Sequence, residues 1–568
     1  MHFLNSERKA RDLLLVVSFV LLFGFLGTRS LNEPDEGRYS SIARAMVDSG
    51  DWLVPQFWGM PHLDKPPMTY WLVALSLSVF GMNEWAVRLP LALAGWLTVW
   101  GVWFLGKRIW DWRAAFFGAL IFVSALLPFV MSRMLTTDIF LTCAMTWMLW
   151  ALCGLWQSGG GGSRVLVWLF AVSLFSAIGF LIKGPVALGI PFAAMILHAI
   201  GTEGSGNSRR IFLVWGVTGL LLGVGIASPW FLAVFNEVPD ASDYMVTGQV
   251  VGHALGTTIR NRQGSPFYFV GILLAGLLPW TPLLFRKVLY SNLKTSWRSM
   301  LAPIWMLVGA TLFTFILFSL TKAKLPAYIL PLFPPLALLI GWSLLDDLAG
   351  TESPAVSERL IRLCLLMPGI AAVAYAGAIG WVFKAGFPIW LWSGALLLLL
   401  ICVRAFSKSR TASFEQVIMR ASLLSGLVLL GVGVSVRAFE TALKSNQSLA
   451  EIGTKLEEEF QMGDRLVVWG KLPQGLAFYA PRATGKGADA LMGMLDKTAV
   501  PFEFPGNLEL AAPRLILSAD GLRLLAAGPR RTWIVSYQST LSGSFDGKLP
   551  ETLHRQMTSG RWELWTNF

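Results

Sequence analysis

The chain runs to 568 residues, of which 55% are hydrophobic and only 14% charged, and its mean hydropathy is +0.59. A soluble domain carries about 25% charged residues, so a water-soluble globular body is excluded, and repeated apolar runs of about 20 residues match the hydrocarbon core of a bilayer. The net charge of +12 does not mark a nucleic-acid binder, because Lys and Arg are scattered over loops between apolar runs, without a basic helix or stacking aromatics on a soluble face.

In chain order, the first apolar run, Leu13 to Leu26, follows Arg8, Lys9 and Arg11. That is the layout of a signal peptide, but no small-residue cleavage site follows; the next residues are TRSLNEPDEGRY, so the run reads as a retained signal anchor. Windows of about 19 residues place about thirteen membrane spans. They lie near 12–28, 85–106, 113–131, 135–156, 164–181, 184–200, 211–234, 267–285, 301–320, 327–346, 361–383, 387–405 and 418–437. The short apolar stretch 66–81 reads as an interfacial segment of the first long loop, with Trp52, Trp58 and Trp71 at headgroup level.

With the N-terminus inside, short cytoplasmic connections carry Lys107, Arg108 and Arg113, then Arg209 and Arg210, then Arg286, Lys287, Lys294 and Arg298, then Arg404, Lys408, Arg410 and Arg420. This is the positive-inside pattern. Gly159 to Gly162 lacks the Lys-Ser/Thr of a phosphate-binding loop and reads as a linker. Cys143, Cys153, Cys364 and Cys402 all fall in apolar spans, as packing residues do.

An odd number of spans puts the tail outside. From about Phe439 the composition turns soluble: SLAEIGTKLEEEF reads as a helix, and DRLVVWG, RLILS and TWIVSY as strands. The expected organisation is a transmembrane catalytic part, 1–438, with outer loops 29–84 and 235–266, and a small soluble α/β domain, 439–568, on the outer face. No Gly-rich dinucleotide fingerprint occurs in it, so no cofactor is assigned.

The residues that bear chemistry gather in the outer segments. Pro34-Asp35-Glu36-Gly37-Arg38 follows the first span directly. It reads either as an ordinary helix start, with Pro early and acids at the positive end, or as a reactive acid beside a cation. Asp64-Lys65-Pro66-Pro67 reads as a solvated turn or as a second acid–cation pair. Asp138 starts the fourth span after Arg133, Lys183 lies in Ile182-Lys183-Gly184-Pro185, and Lys322 and Lys324 lie in TKAKLPAY before Tyr328. Charges at such depth are costly and signal function, while a lysine near a helix end can also snorkel. Together, acids and cations on one face suit a reaction with an anionic leaving group. No Ser/His/Asp triad signature is present.

The ordered set NEPDEGRY, LDKPP, SRMLTTD, IKGP and FSLTKAKLPAYILPLFPPLALL resembles the bacterial GT-C glycosyltransferases. The nearest group is the lipid A aminoarabinose (4-amino-4-deoxy-L-arabinose) transferases, with protein O-mannosyltransferases as distant relatives. The resemblance covers most of residues 1–345. It implies an inner-membrane enzyme that transfers a sugar, with inversion, from a polyprenyl (undecaprenyl) phosphate to lipid A or a related envelope acceptor on the periplasmic side. By motif position it implies Asp35 as the active-site carboxylate with Glu36 and Arg38 beside it. Lys65 would bind the donor phosphate with Tyr328, and Lys324, Asp138 and Lys183 would line the same cavity.

One loop departs from the pattern. The family's Glu-His pair with a nearby Arg is replaced by Val251-Gly252-His253-Ala254-Leu255-Gly256. Arg260 or Arg262 is then the expected substitute for the phosphate contact. The resemblance allows a divalent metal held between Asp64 and His253, and an interfacial His without metal is the other reading. Two further functions stay open: the same donor with a protein or glycan hydroxyl acceptor, and a transporter or flippase of lipid-linked sugars. The latter class shows internal repeats and midplane charges, neither of which is evident here.

Overall fold

The computed structural model describes residues 6–160, 162–202, 206–251, 264–286, 303–345, 354–382, 389–411, 414–442, 448–484, 489–493, 515–516, 519–538, 540–541 and 550–568. Helix occurs at every expected span. Among the described residues, six helices are long and apolar enough to cross a membrane: Glu84–Ile109, Asp138–Gln157, Ser163–Lys183, Gly206–Glu237, Pro326–Ser343 and Arg359–Gly377. Six more apolar helices are shorter, Met68–Phe80 in the first long loop among them. In lipid every backbone polar group must be satisfied within the chain, which leaves the helix as the form these runs adopt. The chain is a polytopic helical membrane protein.

Several expected spans are broken, and proline breaks them. The span at 113–131 divides into Trp112–Ser124 and Leu126–Met131. Pro128 has no N–H, and its ring would collide with the carbonyl four residues back, that of Ser124. The freed groups find partners elsewhere: the Ser425 hydroxyl donates to the Ser124 carbonyl at 2.7 Å, and the Leu126 N–H donates to the Leu278 carbonyl at 3.1 Å. Likewise 267–285 is a helix Tyr268–Gly276 followed, past Pro279, by a 3-10 turn Thr281–Phe285. The span at 327–346 opens as a 3-10 turn, Pro326–Leu332, before becoming the α-helix Phe333–Ser343.

The chain divides into two compact units. Unit 1 comprises Met1–Gly24, Leu91–Pro229 and Val250–Gly433. Its helices pack through small residues, as membrane bundles do. A Cβ on Gly341 would stand 2.5 Å from the Gly118 nitrogen, so Trp112–Ser124 and Phe333–Ser343 touch backbone to backbone.

Unit 2 comprises Phe25–Pro90, Trp230–Gln249 and Val434–Phe568. Its first segment holds the helix Asp35–Ser49, stopped by left-handed Gly50. A two-stranded hairpin follows, β1 (Gln56–Phe57) and β2 (Met60–Pro61), turned by Trp58 and Gly59, both at positive φ. Its last segment holds a six-stranded sheet. The strands are β3 (Arg465–Trp469), β4 (Asp489–Gly493), β5 (Leu515–Ile516), β6 (Thr532–Tyr537), β7 (His554–Ser559) and β8 (Trp562–Thr566), in the order β5-β4-β3-β6-β8-β7. The first four are mutually parallel, while β8 runs antiparallel to β6 and to β7. Buried on both faces, β3 and β6 read as near-continuous apolar runs, and Val467, Trp469 and Ile534 join Leu522, Ala526, Leu541 and Leu553 in one core.

Candidate active site

The acids and cations singled out from the sequence fall into one group in each unit. In unit 2, Asp35 opens the helix Asp35–Ser49, where a carboxylate meets the positive end of the helix dipole. One turn on, Arg38 donates to Asp35 Oδ1 at 2.7 Å, and the Asp35 side chain remains 28% exposed. Arg38 is otherwise enclosed, and its buried Nε has no hydrogen-bond partner among the described residues. Its field reaches Asp64 as well as Asp35, and the carboxylates hold the guanidinium charged against the cost of burial.

The hairpin delivers the second acid. The His62 N–H donates to the Pro55 carbonyl, which places His62, Asp64 and Lys65 just beyond β2. Asp64 accepts from the Tyr244 hydroxyl at 2.5 Å and lies 3.6 Å from His62 Nε2. Burial opposes its ionisation. The imidazole, Lys65, Arg38 and the Tyr244 hydrogen bond outweigh burial and keep its pKa below the usual carboxylate range. Burial, aided by Arg38 and Lys65, pushes His62 down to about 4, so a neutral imidazole faces an ionised Asp64 at pH 7. Lys65 Nζ donates to the Asp64 carbonyl at 2.8 Å. Tyr39 stacks on Tyr70 at 5.3 Å between centroids, and the buried Tyr70 hydroxyl has no hydrogen-bond partner among the described residues.

Glu36, next to Asp35, is bound quite differently. Its carboxylate is fully buried and accepts from Arg29 at 2.5 and 2.9 Å, from Arg88 at 3.0 and 3.1 Å, and from the Asn32 N–H at 3.1 Å. Burial works against the charge, and the two guanidinium groups overcome it, holding the pKa at about 2. Arg88 spends its remaining donors on the carbonyls of Leu26, Arg29 and Ser30. This is a closed ion network that fixes the entry to the helix carrying Asp35.

In unit 1, Lys183 at the end of Ser163–Lys183 donates to Asp138 at 2.5 Å, at the start of Asp138–Gln157. The same ammonium lies 4.6 Å from the Tyr328 ring centroid, a cation–π contact. Lys324 donates to the carbonyls of Phe318 and Ser319, capping the helix Pro303–Leu320. Arg133 does the same for Glu7–Phe23 through the carbonyls of Leu21 and Gly24.

His253, Arg260 and Arg262 lie outside the described residues. Among the described residues no group of three or more His, Cys, Asp or Glu side chains is placed to hold a metal ion. Among the described residues, Asp64 Oδ1 accepts from the Tyr244 hydroxyl and Oδ2 faces His62, and the expected second ligand, His253, lies outside them. Arg29, Arg88, His62, Tyr70 and Tyr244 were not foreseen. Arg88 did leave a signal, a charge within an apolar span.

A family model described as dolichyl-phosphate-mannose-protein mannosyltransferase matches residues 64–233. The undecaprenyl phosphate-alpha-4-amino-4-deoxy-L-arabinose arabinosyl transferase of Edwardsiella ictaluri is 32% identical over 372 residues, 63% of this chain and 64% of that relative. The matched stretch is thus under two thirds of the relative's own length. Among solved structures, ArnT from Cupriavidus metallidurans bound to undecaprenyl phosphate superposes with a TM-score of 0.78 at 23% identity, over 98% of each chain. The archaeal oligosaccharyltransferase AglB from Archaeoglobus fulgidus superposes with 0.51 at 12% identity, over 98% of this chain and 74% of that one. The chain has the GT-C fold of membrane glycosyltransferases and is similar in sequence to the aminoarabinose transferases.

Proposed function

We propose that this protein transfers a sugar, 4-amino-4-deoxy-L-arabinose, from undecaprenyl phosphate to lipid A at the periplasmic face of the inner membrane. The observation that carries the reading is the pairing of partly exposed Asp35 with Arg38, whose buried Nε has no hydrogen-bond partner among the described residues. An unsatisfied charged donor beside a reachable carboxylate suits a phosphate ester that arrives with the substrate. Sequence similarity to the arabinosyl transferases supplies the donor class.

The acceptor oxygen attacks the anomeric carbon as the bond from that carbon to the phosphate oxygen breaks, and undecaprenyl phosphate leaves with the electron pair. Arg38 and Lys65 offset the charge on the leaving phosphate. A lipid A phosphate is anionic at neutral pH and needs no base, so Asp35 orients the reacting groups. In unit 1 the Asp138–Lys183 pair with Tyr328 is a second phosphate-handling group. Lys324 spends two of its three N–H donors on helix carbonyls, and its ammonium lies 5.2 Å from the Phe269 ring centroid. Glu36 serves as a positioning residue. Thirteen spans, a cytoplasmic N-terminus and a periplasmic domain over 439–568 complete the reading. The loop charges support it, as does the grouping of 25–90, 230–249 and 434–568 in one unit.

The mannosyltransferase match over 64–233 favours one second reading, a protein hydroxyl acceptor, for which Asp35 would act as base. Purified protein incubated with undecaprenyl phosphate aminoarabinose and lipid A decides: transfer that Lys65→Ala or Asp35→Asn abolishes is expected. Full transfer by both variants removes the site assignment, and passage of the donor across liposomes without transfer would make the protein a transporter.

A further inference from the structure

The sheet of unit 2 supplies no group that touches the reacting atoms, yet one of its loops meets the segment that carries Asp35. Strands β3, β4 and β5 step outward in one direction, and the chain then returns to lay β6 on the other side of β3. The strand order therefore reverses between the adjacent parallel strands β3 and β6, a topological switch point. In doubly wound sheets this switch point is where ligands bind, commonly anions held by backbone N–H groups. Here the loop after β3 runs Gly470-Lys471-Leu472-Pro473-Gln474-Gly475, and the carboxyl group it meets belongs to the chain itself. Glu33 accepts from the Gln474 N–H at 2.7 Å and from the Gly475 N–H at 2.5 Å.

Around this carboxyl the contact extends as a row. The Ser41 hydroxyl donates to the Gln474 carbonyl at 2.8 Å, Arg44 donates to the Phe478 carbonyl at 2.6 Å, and the Leu31 N–H donates to the Tyr479 hydroxyl at 2.8 Å. Two glycines let the backbones meet. A Cβ on Gly475 would stand 2.7 Å from Glu33 Oε1 and 3.2 Å from the Gly37 Cα, while a Cβ on Gly37 would stand 2.7 Å from the Gly475 nitrogen. The residues so gripped, 31 to 44, bracket Asp35 and Arg38 on both sides.

We infer that the switch-point loop of the C-terminal sheet is a clasp that positions the Asp35–Arg38 helix for transfer, with Glu33, Gly37 and Gly475 as positioning residues. The inference rests on the reading of Asp35 given above. The C-terminal domain then acts mainly on the rate of the chemical step, while Lys65, outside the gripped helix, keeps its hold on the donor phosphate.

The test uses the full chain in detergent with undecaprenyl phosphate aminoarabinose and lipid A, and measures undecaprenyl phosphate binding and melting temperature alongside. Displacing a reacting group by about 1 Å can cost about a hundredfold in rate. Glu33→Ala and Gly475→Ala are expected to lower kcat by about ten- to a hundredfold, with a smaller loss of undecaprenyl phosphate binding, because Lys65 lies outside the gripped helix. Glu33→Gln, which keeps one acceptor and the shape, should recover most of the rate. Wild-type kcat in both variants overturns the clasp, as does a fall in kcat matched by equal losses of binding and melting temperature. Asp35→Asn in the same assay separates the two ideas. If it transfers normally, the reading of Asp35 fails and takes the clasp with it. If it is inactive while Glu33→Ala and Gly475→Ala match wild type, the clasp fails alone. Should Gly475→Ala not fold, Ser41→Ala removes one bond of the row and must still lower kcat; an unchanged kcat counts against the clasp.

Discussion

Two adjacent acids in unit 2 are held in opposite ways. Glu36 is sealed, and its two oxygens accept from Arg29, Arg88 and a backbone N–H, so nothing is left over for a ligand. Among the described residues, Asp35 keeps one close cation and a side chain still 28% exposed, and the Nε of its neighbour Arg38 has no hydrogen-bond partner. A buried charge with every valence filled is architecture, because any further partner would have to displace one already present. A charge set left incomplete in a folded chain is where a substrate's charge completes it. Position in the sequence does not separate the two residues; saturation of their hydrogen bonds does.

The sharpest way to break the comparison is to neutralise each acid. Asp35→Asn is expected to lower transfer by about 10²- to 10⁴-fold with little change in melting temperature. The size of the loss also reports the acceptor. A phosphate nucleophile needs no base and puts the effect at the low end, whereas a hydroxyl puts it at the high end. Arg88→Met should act on folding instead, because it takes one of two guanidinium groups from a buried carboxylate and leaves the carbonyls of Leu26, Arg29 and Ser30 without that donor, at up to about 3–5 kcal/mol. Thermal unfolding in detergent checks this, and a Glu36→Leu/Arg88→Met double variant should recover much of the loss. If Arg88→Met leaves stability intact while abolishing transfer, the contrast between a structural and a chemical acid collapses.

Much of the fold was legible because lipid is an unforgiving solvent. An apolar run of about 20 residues has only the helix open to it, and among the described residues helix occurs within each expected span, six of the helices being long and apolar enough to cross a membrane. The breaks were harder, although Pro128, Pro279 and Pro331 announced them. What could not be read was where the freed Ser124 carbonyl would find Ser425. The hairpin of β7 and β8 escaped because HRQMTS is polar, with Ser559-Gly560 as its only turn signal. In the site, motif order brought Asp35, Arg38, Asp64 and Lys65 to notice. Their governing partners depend on contacts that no spacing encodes: Tyr244 on Asp64, Arg88 on Glu36, and Gly475 on Glu33 across 442 positions.

Smaller effects sharpen the contrast. Arg38→Lys keeps the charge but loses the planar fork. One hydrogen bond to a charged group is worth about 1.5–3 kcal/mol, so the KM for the donor should rise about ten- to a hundredfold while Asp35→Asn acts mainly on kcat. An unchanged KM would mean that the spare Nε serves no substrate.

The smallest expected effect concerns Glu33, a third acid that is neither saturated by cations nor open. Burial pushes its pKa up to about 8, against the pull of the Gln474 and Gly475 N–H groups and the fields of Lys471 and Arg38. The folded state therefore holds this proton more tightly than the unfolded chain, whose carboxyl titrates near 4.5. The associated stability is full below that value and is lost as pH rises through about 8. His62 runs the other way. Its depressed pKa of about 4 gives stability that is full above the ordinary histidine value of about 6.5 and is lost toward acid. A comparison confined to pH 6.5–9 thus isolates Glu33. Glu33→Gln cannot ionise, so its melting temperature should decline less than that of wild type across this window, with the gap widening toward the alkaline end. Parallel curves would mean that the Glu33 carboxyl is already ionised throughout, and that the N–H groups of the β3 loop outweigh burial in deciding its charge.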